Sequence, residues 1–127
     1  MTKTYLDTNV LIAAFRSDHP AAVAAMSVLG DPERAFMASQ YLRLETLRKP
    51  IFYRRRDEME FMETYFAAVS QWVATDDRLV TVALKLAAEL DLGAMDALHA
   101  AAALQRWSAR IHHAGASGKV ALPDTRV

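Results

Sequence analysis

Cysteine is absent from the 127 residues. That removes disulfide bonds, thiolate zinc sites and a cysteine nucleophile together, and it is compatible with a cytoplasmic setting. An excess of charge of either sign is also lacking: 15 Lys and Arg balance 15 Asp and Glu, for a formal net charge of zero. The global balance therefore argues for no particular partner, and a nucleic-acid site has to come from local clustering. No apolar run is long enough to cross a bilayer, and residues 1–7 carry no apolar stretch of the signal-peptide type. Internal repeats and low-complexity linkers are missing too. What remains is 53% hydrophobic and 24% charged. That is the balance of an ordinary globular protein, in a chain long enough for one buried core.

Residues 3–7 alternate and stop at an acid, which predicts a short buried strand. Thr8 is placed to cap a helix through Val10, Leu11, Ile12, Ala14 and Phe15. A second helix covers about 20–29 and closes at Gly30. Residues 36–39 read as a second strand, with Ser39 capping a helix over about 40–49 that Pro50 interrupts. A long amphipathic helix over about 57–73 aligns Phe61, Tyr65, Val69 and Trp72 on one face. Residues 72–75 can instead form a third strand. Thr75 and Asp76 then cap a helix carrying Leu79, Val82, Leu86 and Leu90; Gly93 closes it, and an alanine-rich helix spans 94–107. Short strands alternating with helices predict an α/β domain around a short parallel sheet. From residue 105 the periodicity fails, and 105–127 read as an irregular tail with no strand.

Three acids stand in apolar sequence. Asp7 ends the first strand, where open α/β sheets place their ligand sites. Glu45 lies in the mostly apolar helix around Leu42, Leu44 and Leu47. Asp96 sits in the first turn of the last helix, where the helix N-terminus eases negative charge by about 0.3–1 kcal/mol. Any one of them reads more readily as a helix cap or a solvated charge. Together they suggest an acidic pocket that would repel phosphate alone but suit Mg²⁺ or Mn²⁺, which take oxygen ligands and activate water on a phosphodiester.

The run Tyr5-Leu6-Asp7-Thr8-Asn9-Val10-Leu11-Ile12 resembles the opening strand and helix of PIN domains, and Asp96 to Leu104 resembles their second signature helix. Ser39 to Glu45 is similar to the helix that supplies the middle acid, and Val73 to Asp77 to the segment before the penultimate helix pair. The likeness spans about residues 3–104 and is greatest to VapC toxins. It implies a PIN-like three-layer α/β fold over 1–104, a short parallel sheet flanked by helices. It further implies a Mg²⁺-dependent ribonuclease (Mn²⁺ suiting the same ligands) that cuts RNA, is held silent by a VapB-type antitoxin, forms a homodimer and works in the cytoplasm. By position, Asp7 and Asp96 are the implied metal ligands, Glu45 completes the site, and Asn9 orients Asp7. Thr8 is expected to cap its helix; His99, one turn from Asp96, reads first as a packed or surface histidine and second as a residue facing the pocket or a phosphate. Arg48, Lys49, Arg54, Arg55 and Arg56 are candidate RNA contacts, with Phe52 or Tyr53 free to stack on a base. The same cluster reads equally well as a solvated helix junction balanced by Asp57, Glu58, Glu60 and Glu63.

The chain departs from the family after residue 104. PIN domains continue with a strand often reading like Glu-Phe-Ile-Thr, whereas here the C-terminal strand is missing or altered. One permitted set of codons for residues 107–113, read one base later, encodes Gly-Ala-Arg-Glu-Phe-Ile-Thr. The tail is therefore expected to be a frameshift, a reading the nucleotide sequence decides. With such a tail the alternative function is a catalytically impaired PIN-like domain that binds RNA or antitoxin without cleavage.

Overall fold

The computed structural model describes residues 1–105 and 111–113. Apart from Gln105 and 111–113, the tail at 105–127 and the frameshift expectation attached to it lie outside the described residues. Three parallel strands, β1 (Thr2–Tyr5), β2 (Arg34–Ala38) and β3 (Gln71–Val73), lie side by side, with Tyr5 opposite Met37 and Met37 opposite Gln71. Lys3, Thr4 and Tyr5 are all buried, as are Phe36, Met37 and Ala38. Because successive strand residues point to opposite faces, both faces of the sheet are covered. This is the three-layer α/β arrangement the sequence predicts.

Six helices do the covering: α1 (Thr8–Phe15), α2 (Ala22–Leu29), α3 (Gln40–Phe52), α4 (Arg56–Ala68), α5 (Asp77–Leu90) and α6 (Ala94–Leu104). They pack in sequential pairs, α1 on α2, α3 on α4 and α5 on α6. Tyr5, Leu6, Leu11, Met37, Leu42, Met62 and Leu79 form the fully buried centre of one continuous core. Alanines at 97, 101, 102 and 103 let α6 approach that core closely.

Each parallel strand hands over to its following helix through a capping side chain. Asp7 Oδ1 accepts the Val10 amide at 3.1 Å, Ser39 Oγ the Leu42 amide at 3.2 Å, and Asp76 Oδ1 the Leu79 amide at 3.0 Å. The α1 cap is thus Asp7 and not Thr8, which falls one residue inside the helix. Replacing Asp76 with Ala should cost about 1 kcal/mol, because it strips the side-chain cap from α5. Urea unfolding that leaves the midpoint unchanged would show that the cap contributes nothing.

Four boundaries differ from the sequence reading. Helix α3 runs through Pro50 to Phe52. Proline removes one backbone bond from the ladder, but Pro50 is fully buried, and its packing offsets that loss. Helix α4 stops at Ala68, so Trp72 belongs to β3 and Val69 to the connection. The apolar spacing at 69, 72 and 73 happens to continue the helical period, and pairing with β2 decides for the alternative third strand, at 71–73 in place of 72–75. Helix α5 closes at Asp91 in a left-handed conformation (φ 53°), leaving Gly93 to cap the start of α6, which ends at Leu104. Finally, a strand is present beyond residue 105: β4 (Ile111–His113) pairs antiparallel with β3, Val73 opposite Ile111. Three residues cannot express an alternating pattern. The free N–H and C=O groups on the edge of β3 supply the pairing that propensity does not.

Candidate active site

Asp7 stands just beyond the carboxyl end of β1, and its side chain is tied to the first turn of α1. Glu45 lies midway along α3, and Asp96 in the first turn of α6. Helix α3 packs against both α1 and α6. These contacts bring Asp7, Glu45 and Asp96 to the wall of one cavity of about 270 Å³. Thr8, Asn9 and His99 complete its polar lining, and Arg48 and Lys49 stand at its margin. A larger hollow of about 370 Å³ between α1 and α2 shares Asp7 and Asn9 but is walled mainly by Val10, Ala13, Ala25 and Val28. Neither Glu45 nor Asp96 reaches it. The smaller cavity is where the chemistry can occur.

The three acids differ in environment. Asp96 is exposed and makes no hydrogen bond or ion pair among the described residues. Asp7 is half-buried. Glu45 is the most constrained: Oε1 accepts from the Thr8 hydroxyl and lies 2.8 Å from His99 Nε2. Burial is the largest single influence on its pKa and raises it. The hydrogen bonds from Thr8 and His99, with the nearby charges of His99 and Arg48, outweigh burial and hold the carboxyl below its ordinary value. Glu45 therefore stays ionised to more acid pH than a free glutamate.

The donor set fits a hard divalent cation, since it consists of carboxylates around a polar cavity at the carboxyl ends of parallel strands. Among the described residues no three His, Asp or Glu side chains stand close enough to hold an ion jointly. Mg²⁺ usually keeps several of its waters and takes one or two protein carboxylates.

The cationic cluster divides. Lys49 and Arg55, joined by Arg16, line a neighbouring cavity of about 420 Å³ that shares Ile12, Glu45 and Lys49 with the acidic one. Arg54 and Arg56 line neither cavity. Arg54 turns the chain between α3 and α4 with φ 55°. Arg55 stacks over the Tyr53 ring at 4.9 Å and lies 3.7 Å from Glu58. Phe52 and Tyr53 are exposed and meet edge-to-face at 4.9 Å. Thr8 and Arg16 line these cavities without a signal in the sequence, whereas His99 is both packed, at 2% exposure, and turned to the acidic cavity. Thr8 and His99 meet Glu45, 37 and 54 residues away.

The PIN domain family model matches residues 4–116. The chain belongs to the PIN-domain family. Its match reaches past residue 104, taking in β4. This PIN domain is also similar in fold to a crystal structure of VapBC2 from Rickettsia felis bound to a DNA fragment from their promoter. The likeness has a TM-score of 0.60 over 80% of each chain at 16% identity. No curated protein sequence matches at a significant level. Among the described residues of this PIN domain, no helix is long and apolar enough to cross a membrane.

Proposed function

We propose that this PIN domain is a Mg²⁺-dependent endoribonuclease and the toxin half of a VapBC-type pair, acting in the cytoplasm as a homodimer. The observation that carries the reading is the convergence of Asp7, Glu45 and Asp96 on one cavity flanked by Arg48 and Lys49. Acids alone would repel an RNA backbone, and cations alone would bind it without cutting. The two together suit a phosphodiester. Asp7 and Asp96 would hold the ion, with Asn9 supporting the site and Glu45 completing it directly or through water. When bound, Mg²⁺ (or Mn²⁺) supplies an activated water and stabilises charge developing on the phosphate.

The chain's own groups account for the rest. Arg48 and Lys49 neutralise phosphates beside the scissile bond, and the cavity shared by Lys49, Arg55 and Arg16 continues the path for the strand. Phe52 and Tyr53 offer exposed rings on which an unpaired base can stack. The similarity to the Rickettsia felis VapBC2 complex supports a VapB-type antitoxin as partner.

Incubating the purified chain with single-stranded RNA, with and without chelator, tests this reading. Cleavage is expected to vanish on chelation and to return with Mg²⁺. RNA binding without metal-dependent cleavage would favour the catalytically impaired alternative, and cleavage indifferent to chelator would reject the metal site.

A further inference from the structure

Behind the acidic cavity a continuous chain of hydrogen bonds runs through the core. Ser39 Oγ lies 2.8 Å from Tyr5 Oη, Tyr5 Oη lies 2.9 Å from His99 Nδ1, and His99 Nε2 lies 2.8 Å from Glu45 Oε1. Ser39, Tyr5 and His99 are each no more than 2% exposed. The chain joins the ends of β1 and β2 to α3 and α6, and it stops at a carboxylate on the cavity wall.

The geometry points to His99 and Tyr5 as positioning residues that fix the Glu45 carboxylate, with His99 Nε2 carrying the hydrogen that Glu45 accepts. This rests on the ribonuclease reading above for its use, though not for its geometry. One proton direction follows from the carboxylate end. An ionised carboxylate only accepts, so Nε2 carries the hydrogen and donates to Glu45. On the far side of the ring, Nδ1 and the Tyr5 hydroxyl share a hydrogen bond, and so do the Tyr5 and Ser39 hydroxyls. Ser39 Oγ also accepts the Leu42 amide at 3.2 Å, which ties the chain to the start of α3.

The consequence falls on Glu45. Its Oε1 receives two donors, from His99 and Thr8, while Oε2 makes no hydrogen bond among the described residues. Rotation of the carboxylate would break both bonds and leave the buried His99 donor without a partner, which is costly. One oxygen is therefore anchored and the other is left for the ion or its water. Groups that orient metal-site ligands in this way typically change metal affinity or activity by about 10–100-fold when removed.

The test uses the whole chain and Mn²⁺ as the probe. Three variants are compared by calorimetric Mn²⁺ titration of the free protein, with thermal unfolding as a check on folding. His99→Leu is expected to weaken Mn²⁺ binding by about 10–100-fold. His99→Gln, whose amide can restore a donor to Glu45, should recover most of that loss. Tyr5→Phe removes one oxygen, keeps the ring, and should fall between them. Long-range proton–nitrogen NMR on the unmutated protein reads the tautomer independently of folding in any variant. Nitrogen signals showing no hydrogen on Nε2 would overturn the assignment. So would Mn²⁺ affinity equal to wild type in a folded Tyr5→Phe or His99→Leu protein. If the ribonuclease reading alone is wrong, the NMR result stands while RNA cleavage is absent in every form.

Discussion

Asp7→Asn and Asp96→Asn should each lower metal-dependent RNA cleavage by roughly 1000-fold or more, equivalent to about 4 kcal/mol of transition-state stabilisation. The choice of asparagine isolates charge from structure. Asp7 caps α1 by accepting the Val10 amide, and asparagine caps helices about as well as aspartate. The variant therefore keeps the helix start while losing the negative charge. Asp96 is exposed in the first turn of α6. Its neutralisation forfeits a few tenths of a kcal/mol of helix-dipole interaction and no described hydrogen bond. Both proteins should unfold at nearly the wild-type temperature while failing to cut RNA. Single-turnover cleavage of a labelled RNA within about threefold of wild type in either folded variant would remove that residue from the ligand set. Expression of the same variants in bacteria gives a second readout, since growth arrest should disappear with cleavage.

How far the sequence reveals this site depends on the kind of relation each residue has to its partners. Asp7, Glu45 and Asp96 each interrupt apolar sequence at the start or middle of a recognisable element, but each alone reads as a cap or a solvated charge, and the resemblance to PIN domains is what groups them as candidates. The order strand–acid–helix needs no tertiary knowledge. The alternation of short strands with helices likewise carries the α/β class. Thr8 and His99 are different. A threonine following an aspartate at a helix start reads as a cap from local spacing, and only the packing of α1 on α3 turns its hydroxyl to Glu45. His99, one turn from Asp96, reads as packed, exposed or facing the pocket until β1 and α3 supply Tyr5 and Glu45 on its two sides. The misplaced boundaries have the same origin. The connection after α4 and the strand β3 continue an apolar repeat, and hydrogen bonding to β2 decides the conformation against the local pattern. Pro50 shows the converse, a local breaker overruled by burial.

Lys3→Met should stabilise the domain by about 2–3 kcal/mol near neutral pH, a gain drawn from removing a buried, unpaired donor. Lys3 lies in β1 with 1% of its surface exposed, and its Nζ has no hydrogen-bond partner among the described residues. Burial lowers its pKa from the ordinary 10.5, because desolvation penalises the charged form. The pH dependence follows from that direction. Between the lowered folded value and 10.5 the unfolded chain binds more protons at this residue than the folded one, so wild-type stability rises with pH through that window. Above 10.5 both states are neutral at Lys3, and its contribution stops changing. Methionine has no such titration and fills the same slot with an unbranched apolar chain. The difference in unfolding free energy between variant and wild type should therefore be largest at neutral pH and shrink toward pH 10.5. Comparing the two proteins by urea unfolding at matched pH cancels every other alkaline titration they share. A gap that stays constant, or a variant less stable than wild type at neutral pH, would mean that the Lys3 ammonium is satisfied after all. The strand that delivers Asp7 to the site would then contain no stored electrostatic cost.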